Sequence, residues 1–391
     1  MGLRCSWAGT VWRSSPAKRG AQLQAALVAR PGSCIRRLAG GHRARQVQFS
    51  RFLYNEAVTV AEMASTAAAR TAGLVAGRDV LAIQDSSELA FGGQAARARG
   101  FGPVLREAAR ITVVADRESD IYEEFARRPA GVHLLTRVAQ DRRIKTATDE
   151  NASLFAFSDN LPEQARFVVT IPAAPGRKPR SAELALRHAC VQVRKPKNGA
   201  APDLPMTVSL TLLDIRETTA PEQGEPIHWR LVTTHTIDNP GTARMVLDFY
   251  RRRWIIEDYF RTLKTAGFDI EAAEIEDPDA MARFVGAVAV TGVIVLQLVR
   301  ARDGGTDQML QEAFDPADQG LLESLSTKFE GKTQRQKNPH PKGTLAYAAW
   351  VIARLGAWDG YYGKPGPKVM RLGLQDFQLI KYGHQLGSKD V

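Results

Sequence analysis

Three short apolar runs dominate the hydrophobic pattern between residues 79 and 139. They are DVLAIQD, which ends on Asp85, RITVVAD, which ends on Asp116, and GVHLLTRVA at residues 131–139. Runs of this length that are rich in β-branched residues are typical of buried strands in a sheet covered on both faces. A single aspartate after a strand is more often a turn residue or a helix cap. Two such aspartates predict an α/β core with carboxylates at its strand ends, where such sheets carry their chemistry.

The pattern changes on either side of these runs. Residues 1–78 are rich in Ala and Arg, and the spacing of Met63, Ala67, Ala68 and Ala72 predicts helices. Residues 140–240 alternate apolar runs with stretches rich in Pro, Gly, Asn and Lys, which predicts antiparallel strands joined by loops. The run FVGAVAVTGVIVLQLV (284–299) contains two glycines and a glutamine, and it is shorter than the roughly 20 residues that span a bilayer. It predicts a buried core helix.

The segment LDFYRRRWIIEDYFRTLK contains the most informative polar spacing in the chain. Tyr250, Arg253, Glu257 and Lys264 are separated by three, four and seven residues, so an α-helix would project them from one edge. A carboxylate flanked by two cations and a phenol suits a divalent metal and a phosphodiester. The alternative is a solvated charged face.

Asp85, Asp116 and Glu257 together supply three carboxylates. Hard oxygen ligands in this number favour Mg²⁺, with Mn²⁺ as a substitute, over zinc. Two such ions about 3.5–4 Å apart activate an attacking oxygen and stabilise a leaving one. The residues therefore predict metal-dependent phosphoryl chemistry.

These segments resemble the DDE transposases of bacterial insertion sequences, in the insertion sequence 4 branch that includes the transposase of transposon 5. The resemblance rests on IQDSSELAF around Asp85, VVADRESDIYEEF around Asp116, and the signature Y-x2-R-x3-E-x6-K that begins at Tyr250. Residues 49–63 and 342–370 also resemble the family's terminal regions, so the similarity covers nearly the whole chain.

The resemblance implies a ribonuclease-H-like catalytic core at 79–300 with a β-rich insertion at about 140–240. It implies an α-helical DNA-end-binding region at 1–78 and an α-helical dimerisation region at 301–391. Asp85, Asp116 and Glu257 would form the catalytic, metal-binding triad. Tyr250, Arg253 and Lys264 would contact DNA. The partners would be terminal repeats, target DNA and a second copy of the chain, with no membrane and no small-molecule substrate.

Two further side chains are candidates for DNA contact. Trp229 stands beside Arg230 in a predicted strand, and an aromatic ring next to a cation suits base stacking. The resemblance supports this role, although Trp229 equally suits the core of the insertion. Arg117 follows Asp116, and Arg137 ends the third predicted strand. Both are candidates for phosphate contact, with surface ion pairs as the alternative.

The charge of the chain agrees with a polyanionic partner. Its 53 Lys and Arg residues exceed its 42 Asp and Glu residues, which gives a net charge of +11. A basic excess of this size favours nucleic acid through counterion release. Three basic clusters stand out, at Arg36–Arg45, at Arg251–Arg253 and at Lys328–Lys342. Three scattered cysteines form no disulfide framework, which is typical of a reducing cytoplasm.

The family pattern fails in the interval between the two aspartates. Only residues 86–115 separate Asp85 from Asp116, whereas the family places two further strands and a helix there. An internal deletion between GFGPV and LREAAR would explain the difference and would expose an edge of the sheet. Two hypotheses follow. The chain is an active transposase, or it is an internally deleted, inactive one that only binds DNA or dimerises with the full-length enzyme.

The carboxy-terminal segment bears on the second hypothesis. Leu345, Ala348, Ala349, Ile352 and Leu355 lie at helical spacing and predict one apolar stripe. Such a stripe is usually core of its own domain, but the family uses this region to pair protomers. A truncation after about residue 340 would then abolish dimerisation and spare binding to a single DNA end.

Overall fold

A computed structural model describes residues 15–85, 105–171, 178–198, 201–222, 224–264, 267–360 and 363–387. The chain divides into two compact units. The first contains the described residues of 15–71 and of 257–387, and the second contains those of 72–85 and of 105–256.

The described helices, in chain order, are α1 (Ser15–Ala29), α2 (Ile35–Leu38), α3 (Arg43–Leu53), α4 (Val60–Val75), α5 (Tyr122–Ala126), α6 (Leu154–Asp159), α7 (Pro240–Arg251), α8 (Ile255–Leu263), α9 (Pro278–Ala301), α10 (Gln319–Phe329), α11 (Leu345–Leu355) and α12 (Pro367–Gly387). Short 3₁₀ turns occur between several of them. The helices predicted in residues 1–78 are therefore present, and α4 contains the Met63 to Ala72 repeat.

The second unit is built on one sheet of nine described strands: β1 (Asp79–Ile83), β2 (Arg110–Ala115), β3 (Val132–Arg137), β4 (Arg143–Lys145), β5 (Asn151–Ser153), β6 (Ala165–Ile171), β7 (Arg180–Arg194), β8 (Thr207–Glu217) and β9 (His228–Thr233). Their order is β1-β2-β3-β9-β8-β7-β4-β5, and β6 also pairs with β7. The first three strands are parallel, and all other pairs are antiparallel.

The three apolar runs do form the parallel strands, and the antiparallel strands of residues 140–240 are also present. The sequence did not show that the insertion continues the same sheet. β9 returns beside β3, with Thr136 paired to Val232, and so joins the parallel and antiparallel parts. Within the described residues β1 lies at one end of the sheet and pairs with β2 alone.

Alternation along the strands divides the apolar side chains between two faces. Leu213 and Leu231 face one hydrophobic cluster, which α7 completes with Val246 and Tyr250. The neighbouring residues Leu212 and Val232 face the other cluster, with side chains from α5 and α6. Helix α7 begins at a favourable N-terminal sequence. Asn239 caps the helix by accepting a hydrogen bond from Thr242 N at 2.9 Å, and Pro240 occupies the first helical position.

The first unit is a helical assembly around α9. This helix begins at Pro278 after the cap Asp277, and its buried side chains join one core cluster with residues of α1, α3, α11 and α12. By length and composition alone α9 could cross a membrane, but 56% of its most apolar window is buried within the protein. The prediction of a buried core helix is therefore confirmed. Helices near both ends of the chain share this core, and the predicted boundaries at 78 and 300 stay a prediction.

The apolar stripe of α11 belongs to this core. Leu345, Ala348, Ala349 and Ile352 are each 0% exposed, and Leu355 packs against the same cluster. Gly373 of α12 allows the close approach, because a Cβ atom there would lie 1.7 Å from Ile352 O. The stripe is thus core of the first unit, as the alternative interpretation had it. Truncation after residue 340 would remove that core, so it cannot isolate dimerisation.

Two stacked imidazoles lie in the second unit, at the end of the sheet where β2 and β3 begin. The His133 and His235 rings are parallel, with centroids 3.9 Å apart, and His235 Nε2 is 2.9 Å from Thr112 Oγ1. Burial lowers the pKa of His235 to about 4, and the positive charges of His133 and Arg110 act in the same direction. Burial also lowers the pKa of His133. Both rings are therefore neutral at pH 7.

These pKa values predict that acid destabilises the second unit. Histidine in an unfolded chain has a pKa of about 6.5. Between pH 6.5 and 4, His235 is therefore protonated in the unfolded chain but neutral in the folded protein. The stability that neutral His235 contributes is therefore fully present above pH 6.5. It is lost as the pH decreases toward 4, which lowers the free energy of unfolding by at most about 3 kcal/mol. We expect His235→Gln to reduce the slope of the urea midpoint against pH. His42→Gln, at an exposed histidine, should leave the slope unchanged; equal slopes in all three proteins would refute the assignment.

Candidate active site

The two strand-end aspartates lie side by side at one end of the sheet. Ile83 pairs with Val114, and Gln84 N donates to Val114 O at 2.9 Å, so the parallel register continues to Asp85 beside Asp116. Both side chains are partly buried. Neighbouring carboxylates repel each other, and a nearby cation relieves that repulsion.

Arg253 supplies that cation in the structure. Its Nη1 lies 3.5 Å from Asp85 Oδ2, and its Nη2 lies 3.3 Å from Asp116 Oδ2. The Arg253 side chain is 5% exposed, and those of Asp85 and Asp116 are 21% and 31% exposed, so the ion pairs are partly shielded from water. The exposed ring of Trp254 lies beside the guanidinium, with Arg253 Cζ 4.9 Å from the ring centroid. A guanidinium suits this position because its two terminal nitrogens reach the two carboxylates separately.

Tyr250 lies behind this ion pair in the core of the second unit. It is 2% exposed and meets the partly buried Trp229 edge to face, with ring centroids 5.4 Å apart. Burial raises the pKa of Tyr250, and the negative charge of Asp116 raises it further. The phenol is therefore neutral at physiological pH. Trp229 contributes to the core of the second unit, and its role in base stacking stays a prediction.

The signature does not form the single helical edge expected from its spacing. Helix α7 ends at Arg251, a 3₁₀ turn covers Arg252–Trp254, and α8 begins at Ile255. A 3₁₀ turn has three residues per turn instead of 3.6, so it changes the angular position of everything after it. Burial of Arg253 against two carboxylates accompanies this turn, and neither contact is visible in the local sequence. The expectation that the four side chains project from one edge of a single helix was wrong.

The remaining signature residues belong to the first unit. Glu257 is exposed in the first turn of α8. Lys264 directly follows the last residue of α8, and its Nζ lies 3.7 Å from Glu271 Oε1. The structure thus brings Arg253 to Asp116, which the spacing of the signature did not show, whereas the position of Glu257 relative to the aspartates stays a prediction.

A buried aspartate that the sequence analysis did not select ties the two central strand ends together. Asp120 Oδ2 accepts hydrogen bonds from Ala139 N at 2.8 Å and Gln140 N at 3.2 Å, and Arg142 Nε donates to Asp120 Oδ1 at 2.9 Å. The side chains of this pair are 1% and 9% exposed. The turn after Asp116 is thus fixed to the loop after β3. Only the spacing of Asp120 four residues after Asp116 hinted at its importance.

The oxygens of the aspartate pair fit a hard divalent cation. Asp116 Oδ1 is buried and accepts no hydrogen bond from any described residue. Buried carboxylate oxygens are normally satisfied, so an orphan of this kind indicates an additional ligand. No three Asp, Glu, His or Cys side chains are grouped closely enough to hold a metal among the residues that the structure describes. A third carboxylate from Glu257 therefore stays a prediction.

One comparison with known proteins identifies a family. A family model described as a transposase DDE domain matches residues 88–291, which is more than half of the chain. The matched range contains Asp116, Tyr250, Arg253, Glu257 and Lys264. It begins just after Asp85, inside the short interval between the two aspartates.

The buried Asp120–Arg142 pair generates a stability prediction. Replacing Asp120 by Asn leaves the Arg142 charge buried without its partner, which typically costs about 3–5 kcal/mol. We expect Asp120→Asn to lower the urea midpoint of the second unit strongly. Asp203→Asn is the matched control, because Asp203 pairs with Arg127 on the surface, where an ion pair contributes at most about 1 kcal/mol. Equal effects of the two substitutions would show that the Asp120 contacts do not stabilise the fold.

Proposed function

The chain belongs to the transposase DDE domain family, and from this premise we propose that it is an insertion-sequence transposase of the insertion sequence 4 branch. It binds terminal inverted repeats and catalyses metal-dependent DNA cleavage and strand transfer in the cytoplasm. The observation that carries the proposal is the Arg253 ion pair with Asp85 and Asp116 at two neighbouring parallel strand ends. This pair puts acidic and basic groups of a phosphoryl-transfer site together in a shielded position.

Asp85 and Asp116, with Glu257, are the proposed ligands for Mg²⁺ or Mn²⁺. When bound, such ions supply Lewis-acid stabilisation of the attacking and leaving oxygens in phosphodiester cleavage. In their absence Arg253 neutralises the two aspartates. Once the carboxylates are neutralised by other charges, the Arg253 guanidinium becomes available to a phosphate oxygen, for which its two parallel N–H groups are suited.

The other signature residues have supporting roles in this proposal. Tyr250 carries a neutral phenol that supports the position of Arg253 from the core of the second unit. Lys264 supplies a cation to the DNA backbone. Trp229 receives a base that leaves the duplex, and Arg117 contacts phosphate. The protein acts as a homodimer on two DNA ends. The exposed Leu372, Leu379 and Tyr382 of α12 are available for pairing, since the α11 stripe is buried.

The position of β1 favours a second candidate function, that of an inactive transposase which only binds DNA or pairs with the full-length enzyme. In the described part of the chain β1 is the terminal strand of the sheet, and none of its five residues is fully buried: Asp79 is exposed and the other four are partly exposed. An end strand held by one neighbour opens more readily than a central one. Asp85 follows this strand, so any opening would disperse the aspartate pair.

The deciding experiment measures Mg²⁺-dependent cleavage of a labelled duplex that carries the element's terminal repeat. We expect Glu257→Gln to reduce the cleavage rate at least about 100-fold, since it removes a charged ligand that acts on the transition state. The matched control is Asp258→Asn, because Asp258 is the adjacent acid and pairs with Arg261 on the surface. This control should retain cleavage.

A binding measurement on the same proteins separates the two candidates. Gel-shift titration with the same duplex reports end binding without cleavage, and Mn²⁺ titration of Asp116→Asn against the unsubstituted protein reports metal binding independently. End binding without cleavage by any protein would establish the inactive form. Cleavage that survives Glu257→Gln would contradict the proposed catalytic triad.

A further inference from the structure

A basic pocket in the second unit is not part of the aspartate site. Its volume is about 320 Å³, and its polar and aromatic lining consists of Arg117, Arg137, Phe155, His228 and Arg230. Arg117 follows β2 and Arg137 ends β3, so the pocket lies at the strand ends where Asp116 is found. A pocket of about 300 Å³ is at the lower end of the range for small ligands, and it can hold a single nucleotide unit.

Two guanidinium groups of this pocket have no acidic partner in the part of the chain that the structure describes. Neither Arg117 nor Arg137 lies within ion-pair distance of a carboxylate among the described residues. Arg137 Nη2 reaches only the carbonyl oxygen of His228, at 3.5 Å. Arg117 is exposed. Unpaired arginines at the mouth of a pocket are suited to a phosphodiester, which accepts parallel N–H groups.

The surrounding charges do not neutralise these two arginines. Asp214 is completely buried and forms ion pairs with Arg187, Arg216 and Arg230. Asp159 lies near it and forms ion pairs with Arg216 and Arg230. Burial opposes ionisation of Asp214, but hydrogen bonds from Arg216, Ser158 and His228 outweigh it and lower the pKa of that carboxyl. The neighbouring acidic groups are therefore already paired with arginines other than Arg117 and Arg137. The pocket keeps a positive charge that attracts an anionic ligand.

Arg230 and Phe155 lie against each other in the lining of the pocket. Arg230 Cζ lies 4.5 Å from the centroid of the Phe155 ring. Arg230 Nε donates to Ser158 Oγ at 3.1 Å, and its Nη2 donates to Asp159 Oδ1 at 2.5 Å. The guanidinium is thus held against the ring before any ligand arrives. Aromatic rings and arginine planes are the surfaces on which unpaired bases stack.

We propose that this pocket binds one nucleotide of single-stranded DNA, with its phosphate on Arg117 and Arg137 and its base against the Phe155 and Arg230 wall. A base paired in a duplex cannot reach such a wall, so the ligand is an unpaired strand. The assignment rests on the proposed function, which supplies a DNA substrate whose strands separate at a cleaved end. It deepens that function by adding a strand-holding site, distinct from Trp229, between the ends of β2 and β3 and the β insertion.

The test measures binding of a fluorescent ten-nucleotide oligothymidylate to the full-length protein by anisotropy, at several KCl concentrations. Each phosphate contact on a single strand contributes about 0.7 to the slope of log K against log salt. We expect Arg117→Ala and Arg137→Ala each to weaken binding and to reduce this slope by about that amount. Phe155→Leu should weaken binding at least about fivefold without changing the slope. An abasic oligonucleotide of equal length should respond to the arginine substitutions and not to Phe155→Leu.

Arg128→Ala is the matched control. Arg128 is an exposed arginine of the same unit, it has no described acidic partner, and it lies before β3, at the opposite end of that strand from Arg137. It changes the net charge equally and should leave affinity and slope unchanged. Equal losses in Arg128→Ala and Arg117→Ala would overturn the site, because a general charge effect would then explain them. If the protein cleaves the terminal duplex normally and Arg117→Ala does not change oligothymidylate binding, this site alone is overturned. If the unsubstituted protein neither binds nor cleaves the duplex, the proposed function is overturned as well.

Discussion

The contact of Arg253 with two aspartates is the constraint on which the rest of the site depends. Asp85 and Asp116 are brought together by the register of β1 on β2, which is fixed by apolar side chains and not by the carboxylates. Backbone pairing therefore creates a like-charge repulsion, and Arg253 removes it at distances of 3.5 and 3.3 Å. Attractions of several kcal/mol in such shielded pairs are largely offset by desolvation. The ion pair therefore fixes the positions of these three side chains more than it stabilises the fold.

This requirement explains how the elements around the site are arranged. Arg253 has to reach two strand ends from the chain that follows α7, and the 3₁₀ turn at Arg252–Trp254 puts its side chain there. Tyr250 anchors the end of α7 in the hydrophobic cluster on one sheet face. Asp120 and Arg142 fix the next strand end on the other side of Asp116. Polar groups thus gather where the strands end, and each is supported by a buried contact.

Sequence reasoning succeeded where a local pattern determines the outcome. The β-branched runs predicted β1, β2 and β3, and the apolar run at 284–299 predicted the buried helix α9. It failed where the outcome depends on a distant partner. Whether the α11 stripe faces a second protomer or its own core depends on α9 and α12, which no spacing within α11 shows. The 3₁₀ turn and the Asp120 contacts likewise depend on residues far apart in the chain.

The position of Asp85 depends on how firmly the short strand β1 is held against β2. Five residues of β1 pair with β2, and the described residues show no second neighbour for this strand. Such a short ladder contributes few hydrogen bonds, each with a net value of only about 1 kcal/mol. The ion pair of Arg253 with Asp85 lies at the end of this ladder and connects it to the 3₁₀ turn after α7. In the proposed function, a divalent cation bound to Asp85 would take the place of Arg253 at this end of the strand. The proposal therefore requires a cation beside Asp85 both before and after metal binding, because an unbalanced pair of carboxylates would repel β1 from β2.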